Sequence, residues 1–143
     1  MTNAINNHIM RVIVMSEIKK HYKQMNFAEV FMSQFIIQSV DKRMWKFSYH
    51  AIDKIDALNI DMNKKDIVEM IYESDIIEYK IKKYFNRARE GLAIRNRYNY
   101  KGYNICMYIC ITTKTIVTVW LNRKNDHHRT LNLNRYSDNL KIV

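Results

Sequence analysis

The pattern of apolar and polar positions changes character about halfway along the chain. Val30, Phe31, Phe35, Ile36 and Val40 recur near the 3.6-residue period of a helix, and Asn26 with Glu29 forms an N-cap pair. Together they predict a helix over 27–43. Ser16 followed by Glu17 opens a shorter predicted helix to about residue 25, and Ile9, Val12 and Ile13 offer one apolar turn before it. Ser48 is placed to cap a helix carrying Tyr49, His50, Ile52, Ile55 and Leu58. Asn63 with Asp66 starts another, carrying Ile67, Val68, Met70 and Ile71. From Asp75 the period falls to two. Ile76, Ile77, Tyr79, Ile81 and Tyr84 read as extended chain, and Leu92, Ile94 and Tyr98 interleave with Arg95 and Arg97 as a strand with one basic face. Asn99-Tyr100-Lys101-Gly102 is a turn. Tyr103, Ile105, Met107, Ile109 and Ile111 alternate with Asn104, Cys106, Tyr108, Cys110 and Thr112, the clearest strand of the chain. Thr113-Lys114 is a short hairpin connection to a last strand, with Ile116, Thr118 and Trp120 on one face and Val117, Val119 and Leu121 on the other.

Helices first and strands afterwards are the signature of an α+β fold. The expected architecture packs N-terminal helices on one face of a twisted antiparallel sheet of three to four strands and leaves the other face basic. At 143 residues the chain suits a single domain over 1–143: N-terminal helices over 1–44, a core over 45–122 and a basic tail over 123–143.

Charge adds the first functional constraint. Residues 1–80 carry 11 basic and 11 acidic side chains, whereas residues 81–143 carry 13 basic and 3 acidic, so the whole net charge of +10 lies in the second part. A one-sided positive field is the footprint of a polyanion partner. An anionic membrane surface is the competing reading, but the basic part holds no long amphipathic helix. No run approaches the length of a membrane span, and residues 1–15 lack the features of a signal peptide, so a cytoplasmic location is expected. Richness in Asn, Ile, Lys, Met and Tyr is the composition of an AT-rich genome, such as that of a phage or a low-GC bacterium.

Most enzyme templates are absent. Neither Gly91 nor Gly102 has a partner glycine for a phosphate loop, and no G-x-S-x-G, H-E-x-x-H or C-x-x-C motif occurs. Cys106 and Cys110, four apart on a strand, would lie about 13 Å apart, too far for a disulfide. His127 and His128 have only Asp126 nearby, so no metal and no other cofactor is expected. His50 stands out. At the start of a helix the partial positive field favours the neutral, base-competent imidazole. The plainer reading is a histidine that anchors helix to sheet by one hydrogen bond.

The stretch Lys46-Phe47-Ser48-Tyr49-His50-Ala51-Ile52-Asp53-Lys54, followed by a helix over 64–73 and Ile76-Ile77-Glu78-Tyr79, resembles two related groups. One is the RegB-type phage endoribonucleases, whose K-[FY]-S-x-H-x-x-D-[RK] motif is similar to residues 46–54. The other is an uncharacterised toxin-like family with a Ser-x-His motif and a meander ending in a Thr-Val-aromatic strand, here Thr118-Val119-Trp120. Both are similar to the RelE/YoeB and colicin toxin nucleases grouped with barnase. The resemblance covers roughly 43–122.

What it implies is metal-independent cleavage of single-stranded RNA, messenger RNA in particular, by attack of the ribose 2′-OH to leave a 2′,3′-cyclic phosphate, with ribosomal presentation of the message and an acidic antitoxin or immunity protein as further partners. His50 matches the motif histidine and is carried over as general base or acid. RegB-type enzymes use a second histidine on the following helix, and this chain has none between 51 and 126. Tyr72, Tyr79, a strand Lys or Arg, or His127 and His128 are the alternatives for that role. Arg87, Arg89, Arg95 and Arg97 at i, i+2 spacing stack in pairs on a sheet face and suit phosphate contact, Arg87 and Arg95 being the catalytic candidates. Thr118 is either a phosphate donor or a cross-strand packing residue. Lys46, Arg89, Arg97, Tyr98, Tyr100, Lys101 and Arg123 are the RNA-binding candidates, with the tyrosines, Tyr84 and Tyr103 included, as base-stacking platforms. The alternative from another class is a non-catalytic module that binds nucleic acid or an acidic protein, such as a phage host-takeover protein with a degenerate nuclease fold.

Overall fold

The computed structural model describes residues 16–126. In chain order they form strand β1 (Ser16–His21), helix α1 (Phe27–Ser39), β2 (Lys46–Phe47), α2 (Tyr49–Ala57), α3 (Lys64–Ile71), β3 (Ser74–Lys83), β4 (Ala88–Asn96), β5 (Tyr103–Cys110) and β6 (Thr115–Arg123). The class is α+β, with three α-helices and one sheet in the order β1-β3-β4-β5-β6-β2. The expected antiparallel meander is β3 to β6. Two further strands extend its edges, so the sheet has six strands rather than three to four. One is β1, which pairs antiparallel with β3 where a helix was expected over 16–25. The other is β2, two residues long and parallel to β6.

The helices begin where their caps dictate. Asn26 Oδ1 accepts the Glu29 amide at 2.8 Å and Glu29 Oε1 accepts the Asn26 amide at 3.1 Å. Asn63 Oδ1 likewise accepts the Asp66 amide at 2.8 Å. Helix α1 stops at Ser39, short of the expected residue 43, because Val40 is extended and Asp41 caps a separate 3-10 turn over Lys42–Met44. Ile37, Ala51, Ile67 and Ile71 from the helices meet Leu92, Ile94, Ile105, Met107, Ile109, Ile116 and Val119 from the sheet in the main core. Burying each of these side chains other than Ala51 contributes about 1.5–3 kcal/mol.

Two details reset what the sheet faces show. A bulge at Val117 puts one extra residue into β6, so Ile116 and Val119 both enter the core while Thr118 pairs with Tyr108 and Trp120 with Cys106 on the other face. Strict alternation put Ile116 with Thr118 instead. The face turned away from the helices is not simply basic. It carries a second apolar cluster of Ile77, Ala93 and Cys106, with Tyr108 and Trp120 packed on it. Its cations are interleaved with carboxylates, as in the ion pairs Lys19–Glu78 and Lys80–Glu17, both at 3.6 Å. The β4–β5 hairpin closes on Lys101 (φ 52°) and Gly102 (φ 88°), both left-handed, the two-residue geometry that matches strand twist. Among the described residues no helix is long and apolar enough to cross a membrane.

Candidate functional site

The motif histidine is positioned by an unusual join between helix and sheet. Lys46 and Phe47 run parallel to Thr115 and Ile116, and the Ser48 amide continues the ladder to the Ile116 carbonyl at 3.0 Å. The Ser48 hydroxyl then does two things: it accepts the Ala51 amide at 3.0 Å as the α2 cap and donates to the Val117 carbonyl at 2.7 Å. The first turn of α2 is thereby bolted to the bulge of β6. His50, the second residue of α2, projects into solvent, and among the described residues its side chain makes no hydrogen bond. Thr118 follows the bulge directly, half-buried, on the sheet face turned away from the helices. Lys46 is exposed on β2.

The basic residues divide into separate groups. Arg87 and Arg95 stand eight residues apart, about 26 Å along the strand direction, so no single phosphate meets both. Arg87 lies at the β3–β4 turn with its guanidinium 5.3 Å from the Tyr84 ring centre, and Arg89 is exposed on β4 opposite Lys82. Arg95 is tied to its own chain. Its Nε donates to Asn104 Oδ1 at 2.9 Å, one Nη2 donates to the Arg123 carbonyl at 3.0 Å, and Nη1 donates to the Asp126 carbonyl. Arg97 lies past the end of β4 and pairs with Asp75 at 2.9 Å. The regular pairwise stacking expected of the four arginines is therefore not formed.

A different group converges at the far end of β6. Lys101, Gly102, Tyr103, Arg123, Lys124 and Asn125 line a shallow depression of about 750 Å³. Lys101 lies with Nζ 5.3 Å from the Tyr100 ring, whose hydroxyl accepts the Asp61 amide at 2.7 Å and fastens the loop after α2 to this hairpin. Tyr98 is exposed nearby, after β4. Arg123 is five residues from Thr118, about 17 Å along β6. Lys46 on β2 thus lies at one end of the β6 edge, and Arg123 and Lys124, with Lys101 beside them, at the other.

The alternatives for a second acid or base lie elsewhere. Tyr72 accepts from Trp45 Nε1 at 2.8 Å and donates to the Val40 carbonyl at 2.5 Å, and burial raises its pKa. Tyr79 faces Glu90 under α1, and burial followed by the Glu90 charge raises its pKa too. His127 and His128 lie outside the described residues, as do 1–15 and the tail beyond Asp126. Cys106 and Cys110 are both buried free thiols, and burial pushes Cys106 up to about 12, which leaves it unreactive near neutral pH. Among the described residues no three His, Cys, Asp or Glu side chains converge as metal ligands.

One arrangement was not anticipated from the residues. Tyr108 lies flat across Gly91 on the neighbouring strand: a Cβ there would stand 2.1 Å from the tyrosine oxygen. Lys80 Nζ sits 5.7 Å from the same ring. The signal was present, since an isolated glycine inside a strand marks a close approach. Burial raises the Tyr108 phenol to about 12, so it keeps its proton near neutral pH. No protein-family model, no curated protein and no solved structure matches this chain.

Proposed function

We propose that the chain is a metal-independent endoribonuclease of the RegB/RelE-like kind, acting on single-stranded RNA along the β6 edge. The observation that carries the reading is the Ser48 bolt, which fixes the start of α2, with its solvent-exposed histidine, to β6, the strand whose far end carries Arg123 and Lys124. His50 exchanges the proton of the ribose 2′-OH or of the leaving group. The 2′ oxygen bonds to phosphorus as the bond from phosphorus to the 5′ oxygen breaks, leaving a 2′,3′-cyclic phosphate, and a second group completes the proton transfer. Thr118 and Lys46 donate to the reacting phosphate, and Lys101 and Arg123 hold the strand further along. Arg95 and Arg97, engaged within the chain, serve its structure instead.

The test is incubation of purified protein with labelled single-stranded RNA in excess EDTA, beside His50→Ala. Cyclic-phosphate products whose formation falls by about 10²–10⁴ in the variant, at unchanged melting temperature, support the proposal. Full activity in His50→Ala removes this residue from the mechanism. Salt-sensitive binding without cleavage, also with translating ribosomes, identifies a binding module instead. Neither binding nor cleavage overturns both readings and directs attention to an acidic protein partner.

A further inference from the structure

Helix α1 differs from the other helices in what it shows to water. Ser33 and Ile37 bury one side of it, with Val30 half-buried beside them and Val40 buried just past its end. The opposite side carries Phe27, Phe31 and Phe35 at i, i+4 and i+8, exposed by 84%, 54% and 59%, with Met32 exposed by 52%. The Phe27 and Phe31 rings stack with centres 6.1 Å apart. The remaining exposed positions are Ala28, Gln34, Gln38 and Ser39, all uncharged. The single charge of α1 is Glu29, held by Lys20 at 2.8 Å. By contrast α2 reads YHAIDKIDA and α3 KKDIVEMI, each with several charges. A helix that is apolar on both sides belongs in an interior or an interface.

We infer that this face joins two copies of the chain, with the two α1 helices packed antiparallel about a two-fold axis level with residue 33. Three observations select a second copy. The area is of the right order: at roughly 200 Å² per fully exposed side chain, the three phenylalanines and Met32 leave about 500 Å² of apolar surface in water, against roughly 800 Å² per partner in a stable interface. The face offers no charge with which to recognise a polyanion or an acidic protein. Its helix carries a single charge, Glu29, which is paired with Lys20, so two copies can meet there without bringing like charges of α1 together. The sequence is self-complementary in that arrangement. With the axis at the helix middle, Phe31 of each copy meets Phe35 of the other, and Phe27 meets the small Ser39. The inference stands independently of the nuclease reading.

Analytical ultracentrifugation of the full chain tests it, with Phe31→Asp/Phe35→Asp and Ala28→Arg as variants. The wild type is expected to be a dimer at about 100 μM. The double variant is expected to be a monomer with an unchanged far-UV circular dichroism spectrum, because both rings are already more than half exposed in the single chain. Ala28→Arg, at an exposed position on the same face, is expected to raise the dissociation constant by at least about 100-fold. A wild type that stays monomeric at that concentration overturns the inference, as does a folded double variant that still dimerises. Should the double variant fail to fold, a dimer unweakened by Ala28→Arg is the refuting result.

Discussion

Gly91→Ala asks whether the open sheet face is built as described. An added Cβ would stand 2.1 Å from Tyr108 Oη, 2.4 Å from Cζ and 3.0 Å from Cε2, where carbon contacts relax at about 3.5–4.0 Å. The backbone of two paired strands cannot yield that much, so the ring must swing away. Losing its packing on the Ile77, Ala93 and Cys106 cluster costs about 1–2 kcal/mol. Losing the Lys80 contact costs about 0.5 kcal/mol more. Against this, alanine in place of glycine inside a strand stabilises by about 0.5–1 kcal/mol. The net expectation is a loss of about 1 kcal/mol. The diagnostic quantity is its sign in a second background. In Tyr108→Ala the obstacle is gone, and Gly91→Ala should then stabilise by about 0.5–1 kcal/mol. Urea unfolding of the four proteins of this cycle, followed by tryptophan fluorescence, measures the coupling at about 2 kcal/mol. If Gly91→Ala has the same effect in both backgrounds to within about 0.5 kcal/mol, Tyr108 does not lie over Gly91 and the description of this face is wrong.

The other expectations concern the join, the arginine latch and the buried thiol. Ser48→Ala removes both the α2 cap and the bond to Val117, and should lower stability by about 2 kcal/mol and RNA cleavage with it, while Ser48→Thr should recover most of both; equal losses in the two variants would count against the hydroxyl. Arg95→Met should destabilise by about 2 kcal/mol by freeing Asn104 and the carbonyls after β6, yet leave the salt dependence of RNA binding unchanged; a shallower log–log slope would mean that Arg95 contacts phosphate after all. Burial raises Cys106 from 9.0 to about 12, so the folded chain holds a proton that the unfolded chain releases: its contribution is complete below about pH 9 and is lost as pH rises towards 12. Chemical unfolding between pH 8 and about 11 should show this decline, flattened in Cys106→Ala, and an equal decline in both proteins would assign it elsewhere.

Local chemistry was legible along the chain. The capping pairs at Asn26, Ser48 and Asn63, the turn over Asn99-Tyr100-Lys101-Gly102 and the alternation of β5 each depend on residues a few positions apart, so the sequence by itself determined the three helix starts, the meander and the α+β class. What it left open depends on partners distant in sequence. Strand β1 is polar and gains its structure from pairing with β3, and β2 is too short to show any period, so neither had a signal of its own. The candidate site divides the same way. His50 was visible because its helix start is local. The attachment of its helix start to the β6 bulge was decided by a parallel pairing and a hydroxyl bond spanning 69 residues, and the separation of Arg87 from Arg95 by the length of β4. A bulge adds one residue and turns every later side chain of its strand to the other face, and no pattern in the strand's own residues announces it. Hydrogen bonds between neighbours in sequence can be read from that sequence, whereas register, bulges and the choice of partner for a buried arginine are settled only when the whole sheet closes around its core.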